Sequence, residues 1–144
     1  YDTVEVRICD MPTNIEHTVA VVALIQALMA KLYLMHRRNT SWRYYERSLI
    51  EENKWRTVRY GTNSKLIDFG VSAERPFLEL IQELVEFVSE TTEIFGTQRH
   101  MQTILKIAAE GTSAHRQLEV YDRTGGNIRA VVDWLIQETM RGVG

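Results

Sequence analysis

The sequence predicts an α+β fold that is mostly helical, with a strand over residues 3–9, a short second extended piece, and about six helices. Two observations carry this. Thr3-Val4-Glu5-Val6-Arg7-Ile8 alternates apolar and polar strictly, the period of a half-buried strand. Beyond Pro76, apolar residues recur at spacings of three and four between Gly, Ser, Thr and Asn stops, the signature of amphipathic helices with caps.

In the strand, Val4, Val6 and Ile8 share one face and Thr3, Glu5 and Arg7 the other, so the apolar three are expected to be buried. Asp10-Met11-Pro12 ends it, because proline offers no N–H to a ladder. Thr13 stands three residues before Glu16, the spacing of a capping box, and a long apolar helix from about Asn14 to Arg37 follows. Asn39-Thr40-Ser41 is a polar break. A second helix is expected over Trp42–Tyr60, with Gly61 as a left-handed C-cap. Gly61-Thr62-Asn63-Ser64 reads as a turn and Lys65–Phe69 as a short strand or extended loop, closed by Gly70. Pro76 suits a first helical position, and Phe77, Leu80, Ile81, Leu84, Val85 and Val88 mark a helix reaching Gly96. Met101, Ile104, Leu105 and Ala108 mark a helix ending at Gly111. Thr112 or Ser113 caps another that carries Leu118 and Tyr121 and stops at Gly125-Gly126. Asn127 caps the last, with Ile128, Val131, Val132, Leu135 and Ile136 as its expected buried stripe.

A lone strand cannot satisfy its own backbone or bury its apolar face. The strand around Glu5 is therefore expected to join a sheet whose other strands lie in a preceding segment of a longer protein or in a second copy, which makes a homo-oligomer the expectation. That the chain opens on Tyr1 and not on methionine fits the longer protein.

With 144 residues, 44% hydrophobic and 25% charged, the chain is expected to form one unit over 1–144 with its own core and not a disordered tail. A net charge of −2 provides no bulk attraction for nucleic acid or an anionic membrane. The basic run of Lys31, His36, Arg37, Arg38, Arg43 and Arg47 straddles a helix junction and is followed by acids, so it reads as a solvated face. The apolar stretch Thr18–Leu34 holds Gln26 and Lys31 and reads as a buried core helix, not a membrane span. The single Cys9 cannot make an internal disulfide; a small buried thiol in a reducing cytoplasm is expected. His17, His36, His100 and His115 have no zinc spacing, and no phosphate-binding glycine loop is present.

Two clusters stand out for chemistry. Glu5 and Arg7 lie two apart on one strand face, where a hard carboxylate ligand and a guanidinium fork suit metal-bound phosphate; an incidental surface ion pair fits the same spacing. In the second helix, Asn53, Arg56 and Arg59 are spaced three apart and share a face. They form either a polar ligand-binding ridge or, for Arg56 and Arg59 with Asn53 beside them, a pair of cations favoured by the helix C-terminus.

The run Thr3–Thr13, with its Glu-x-Arg-x-x-Asp pattern at Glu5, Arg7 and Asp10, resembles a strand of the glutamate–cysteine ligase superfamily. Glu52-Asn53-Lys54-Trp55-Arg56-Thr57-Val58-Arg59-Tyr60-Gly61 resembles the Glu-Asn-x-Trp-Arg-x-x-Arg-x-Gly helix of its type 2, carboxylate–amine ligase branch. Gly111–Gln117 and Ala130–Leu135 are similar to the same branch. The resemblance implies the C-terminal portion of a glutamine-synthetase-like catalytic domain, with an antiparallel sheet forming a funnel. It implies a cytoplasmic enzyme using ATP and Mg²⁺ or Mn²⁺ to join the γ-carboxylate of glutamate, or a related carboxylate, to an amine such as cysteine. Glu5 would be a metal ligand, Arg7 a catalytic contact to the transferred phosphoryl group, and Asn53, Arg56 and Arg59 would stand near the nucleotide. The family's further metal ligands lie in an N-terminal part, so these residues alone are expected to be inactive. The alternative is a helical interaction or regulatory module without catalysis.

Overall fold

The computed structural model describes residues 3–142; Tyr1, Asp2, Val143 and Gly144, part of the expected unit 1–144, lie outside the described residues. The fold is α+β and mostly helical. Helix α1 spans Ile15–Arg37 and α2 Arg47–Tyr60, followed by a 3-10 turn at Gly61–Asn63. Strands β1 (Lys65–Asp68) and β2 (Ala73–Pro76) form an antiparallel hairpin with Leu66 opposite Arg75 and Ile67 opposite Glu74. Five helices complete the chain: α3 Phe77–Phe87, α4 Ser89–Phe95, α5 Gln98–Glu110, α6 Ser113–Arg123 and α7 Ile128–Met140.

The core forms where α1 meets α4 and α5. The small residues Ala20, Ala23 and Ala27 line the buried face of α1, and Val88, Met101 and Ile104 fill the space against them. Small side chains let the helix backbones approach closely. The Thr91 hydroxyl accordingly reaches across to donate to the Ala27 carbonyl at 2.9 Å. Glu90 ties the far end of α1 to α4 by accepting from Lys31 Nζ at 2.9 Å and Arg38 Nη2 at 2.8 Å. These two cations pull its carboxyl down to about 2. The expected buried helix is therefore buried on its alanine face only. Ile15, Val19, Val22, Met29 and Tyr33 stay exposed, although α1 is long and apolar enough to cross a bilayer by length and composition.

The expected strand over residues 3–9 is absent. Residues 3–13 run without a ladder, and Val4, Val6 and Ile8 are 69%, 41% and 73% exposed. No neighbouring strand reaches them among the described residues, so the alternating pattern has nothing to pair with or bury against. Cys9, expected to be buried, is exposed for the same reason.

Other boundaries moved for identifiable causes. The cap of α1 is Asn14, whose Oδ1 accepts from the Glu16 N–H at 2.8 Å; Thr13 is engaged instead with the Ser113 hydroxyl at 2.9 Å. α2 begins at Arg47 and not Trp42. Trp42 packs edge-on against Phe87 with ring centroids 5.2 Å apart, and Tyr45 against Phe69 at 4.8 Å, contacts that hold the preceding segment out of the helix. Gly61 has φ +57° but ψ −138°, so it turns the chain without a left-handed helical cap. A side chain there would come within 2.5 Å of the His115 ring, so glycine is needed for close approach as well. Pro76 closes β2 and precedes α3. The helix expected through Gly96 is broken at Val88, making seven α-helices among the described residues where about six were expected. The Val88 carbonyl accepts from the Thr91 and Thr92 N–H groups. In α7 only Val131 of the expected stripe is buried, with Ile128, Val132 and Ile136 exposed, as is Leu118 in α6.

The C-terminal caps follow the sequence. Thr112 and His115 make a reciprocal capping box at α6. Asn127 accepts from the N–H groups of Arg129 and Ala130 at 3.0 and 3.4 Å. Replacing Asn127 by alanine should lower stability by about 1 kcal/mol, measured by urea denaturation; a change below about 0.3 kcal/mol would mean that tertiary packing alone sets the start of α7.

Candidate functional site

Glu5 and Arg7 are brought together. Arg7 Nη2 donates to Glu5 Oε2 at 2.7 Å, with the two side chains 82% and 69% exposed for arginine and glutamate respectively. Neither is covered by a helix, so both are open to a ligand. An isolated pair this exposed contributes little to stability.

Asn53 and Arg56 have different surroundings. The Asn53 carboxamide grips one residue of β1 from both sides: Nδ2 donates to the Ile67 carbonyl at 2.8 Å and Oδ1 accepts the Ile67 N–H at 2.7 Å. This occupies the outer edge of β1 as a neighbouring strand would. Arg56, one turn later, donates from Nε to Glu52 at 2.8 Å and from Nη1 to Glu74 at 2.7 Å and the Lys65 carbonyl at 3.1 Å. Its hydrogen bonds to Glu52 and then Glu74 raise its already high pKa. Together they fasten the hairpin to α2. Arg59 is exposed in the last turn of α2. Among the described residues, the recorded hydrogen bonds of Asn53 and Arg56 go to α2 and the hairpin, and that of Arg7 to Glu5.

A residue that sequence reasoning passed over holds the other side of the hairpin. Arg75 reaches Asp68 at 3.1 Å, Glu79 at 3.3 Å and Glu83 at 2.5 Å. The Gly70 N–H, and after it Arg75, keeps the Asp68 carboxyl below the usual carboxylate range. The only sequence signal was an arginine before a proline, with acids four and eight residues later, and it is legible only once β2 is known. Beside this network an apolar groove of about 980 Å³ runs between α1, α3 and the hairpin, walled by Trp42, Tyr45, Phe69 and Phe87. Its carboxylates Asp68 and Glu83 are both committed to Arg75.

No three His, Cys, Asp or Glu side chains among the described residues converge as a metal site. Glu5 offers a single carboxylate, so these residues do not by themselves fit a complete divalent-metal centre.

The family model described as "Glutamate-cysteine ligase family 2(GCS2)" matches residues 1–134. The chain belongs to glutamate–cysteine ligase family 2. Relatives named "Putative glutamate--cysteine ligase 2" agree with it across 143 residues, 99% of this chain. That from Sorangium cellulosum is 55% identical, that from Solibacter usitatus 47%, and that from Herpetosiphon aurantiacus 46%. The chain spans 38%, 37% and 37% of these relatives' own lengths, well under half of each. The family's ligase assignment thus attaches to proteins more than twice as long as the residues described here.

Proposed function

We propose that this chain is the C-terminal part of an ATP-dependent carboxylate–amine ligase. The observation that supports the reading most directly is the family match over residues 1–134, which includes an open, adjacent carboxylate and guanidinium at Glu5 and Arg7. In the proposed reaction an oxygen of the γ-carboxylate of glutamate, or of a related carboxylate, takes the terminal phosphoryl group of ATP and ADP leaves. An amine such as cysteine then attacks the acyl carbon, phosphate departs, and the nitrogen gives up a proton. The new bond is an amide.

Glu5 is proposed as one oxygen ligand of a Mg²⁺ or Mn²⁺ site whose other ligands come from the rest of a protein as long as the relatives. Arg7 is proposed to neutralise the phosphoryl oxygens in the transition state, where a planar two-pronged donor outperforms a point charge. Asn53 and Arg56 support the site by holding the hairpin, and Arg59 is the member of the α2 ridge left for a nucleotide contact. The rest of the protein, small-molecule substrates, a second copy and the cytoplasm complete the proposal; nucleic acid and membrane have no part in it.

The test is ADP release by the protein at the length of its relatives, with glutamate, an amine, ATP and Mg²⁺. Replacing Arg7 by lysine should lower kcat by roughly tenfold or more with little change in KM for the amine. Full kcat in the lysine variant would remove Arg7 from the reaction, and no amine-dependent ADP release from the unaltered protein would reject the ligase reading.

A further inference from the structure

The α6–α7 hairpin is held to α1 by a compact polar cluster on the first turn of α1. Thr13 bonds Ser113 at 2.9 Å, Asn14 Nδ2 donates to Glu138 Oε1 at 3.3 Å, and Arg116 Nη2 lies 3.2 Å from His17 Nδ1. Asn14 and Glu138 are each only 3% exposed. Glu138 also pairs with Arg116 at 3.6 Å and Arg141 at 3.3 Å, and the Arg116 guanidinium carbon lies 6.0 Å from the Trp134 ring centre. Arg116 is therefore positioned from α7 whether or not His17 is present.

A guanidinium has donors only. The 3.2 Å contact consequently requires His17 Nδ1 to be the unprotonated, accepting nitrogen. Protonating it would remove the acceptor and place an imidazolium against a guanidinium. From this geometry we infer that the Thr13–His17 turn is an acid-sensitive latch, closed on α6–α7 while His17 is neutral and released when it takes up a proton.

Charges of both signs face His17 from the elements packed around it. Glu16 on α1 and Glu138 on α7 favour the protonated form; Arg116 on α6 and Lys106 on α5 oppose it. Arg99 and His100 of α5 line the small cleft beside Glu16. Burial is the largest influence, Arg116 the next, and the net effect lowers the His17 pKa from its ordinary 6.5. A base whose pKa is lower when latched binds fewer protons in that state. The latch's contribution is therefore fully present above pH 6.5 and is lost as pH falls from there through the lowered value. Each unit of depression makes opening tenfold easier on the acid side. The latch immediately follows the segment that carries Glu5 and Arg7, so its release also loosens the anchor of that segment.

Hydrogen exchange read by mass spectrometry on the full-length protein tests this, with rates corrected for the intrinsic pH dependence of exchange. Peptides within residues 113–140 should lose protection several-fold as pH is lowered through 6.5, while peptides from α5 do not change. His17→Gln, whose side-chain oxygen accepts from Arg116 but does not titrate, should remove that pH dependence. A wild type with no acid loosening of 113–140, or a glutamine variant that keeps it, would overturn the inference. An independent reading comes from the unaltered protein. The His17 imidazole resonance should titrate below 6.5, and titration at or above that value would also overturn the latch.

Discussion

Replacing Glu5 by glutamine, in the protein at the length of its relatives, should cost roughly a hundredfold or more in ligase rate and leave the helical circular dichroism unchanged. The two halves of this expectation have separate physical grounds. The Glu5 side chain is 69% exposed and its recorded partner is Arg7 at 2.7 Å, so the folded state loses only an exposed pair worth about 0–1 kcal/mol. Glutamine keeps the shape and one oxygen. It lacks the negative charge that a hard divalent cation takes from a carboxylate, and phosphoryl transfer depends on metal-held, neutralised oxygens. The magnesium concentration for half-maximal rate should rise as well. An E5Q protein with wild-type kcat and wild-type magnesium dependence would sink the metal-ligand role. A protein that instead lost helicity would show that Glu5 belongs to the fold.

The parts legible in the sequence were those decided locally. The caps at Asn127 and Thr112 are short-range hydrogen bonds that need only neighbouring residues, so their helices start where the pattern places them, although the reciprocal partner His115 was not read from the sequence. Elements decided by distant partners were not legible. The 3–8 alternation is a request for a sheet, and no described strand answers it. Residues 42–46 carry helical propensity, but Trp42 and Tyr45 are drawn away by Phe87 and Phe69. β2 was missed because Ala73-Glu74-Arg75-Pro76 has no apolar alternation. It is held by pairing with β1 and by Arg75 reaching Asp68. In α1 the sequence shows hydrophobicity all round, and only the placement of α4 and α5 selects the alanine face for burial. The exposed remainder, with Ile128, Val132 and Ile136 of α7, left the expected stripes only partly buried.

The same distinction governs the candidate site. Glu5 and Arg7 do meet in an exposed ion pair, but the strand from which their shared face was argued is absent. The shared face of Asn53, Arg56 and Arg59 was also visible, but not what it faces, because Ile67 and Glu74 come from a hairpin farther along the chain.

Asn53→Ala should therefore lower the stability of the protein by about 2 kcal/mol. The carboxamide makes two short bonds to one residue, and a neutral hydrogen bond contributes about 1 kcal/mol net. Its loss also uncovers the Ile67 N–H and carbonyl on the outer edge of β1, groups that must then find water or remain unpaired. Asn53→Asp should be about as damaging. It keeps the acceptor for the Ile67 N–H, now 2.7 Å away, but replaces the donor 2.8 Å from the Ile67 carbonyl with a second oxygen. Two oxygens at that separation repel. In both variants the amides of residues 65–76 should exchange faster, because Arg56 and the Arg75 network then hold the hairpin without its central clamp. Thermal melting and hydrogen exchange measure the structural effect, and KM for ATP separates it from a ligand contact. A clamp predicts a lower melting temperature and a mobile hairpin. A raised KM for ATP at an unchanged melting temperature would mean that Asn53 leaves Ile67 and binds nucleotide in the assembled enzyme, and that the hairpin is held by Arg56 and Arg75 alone.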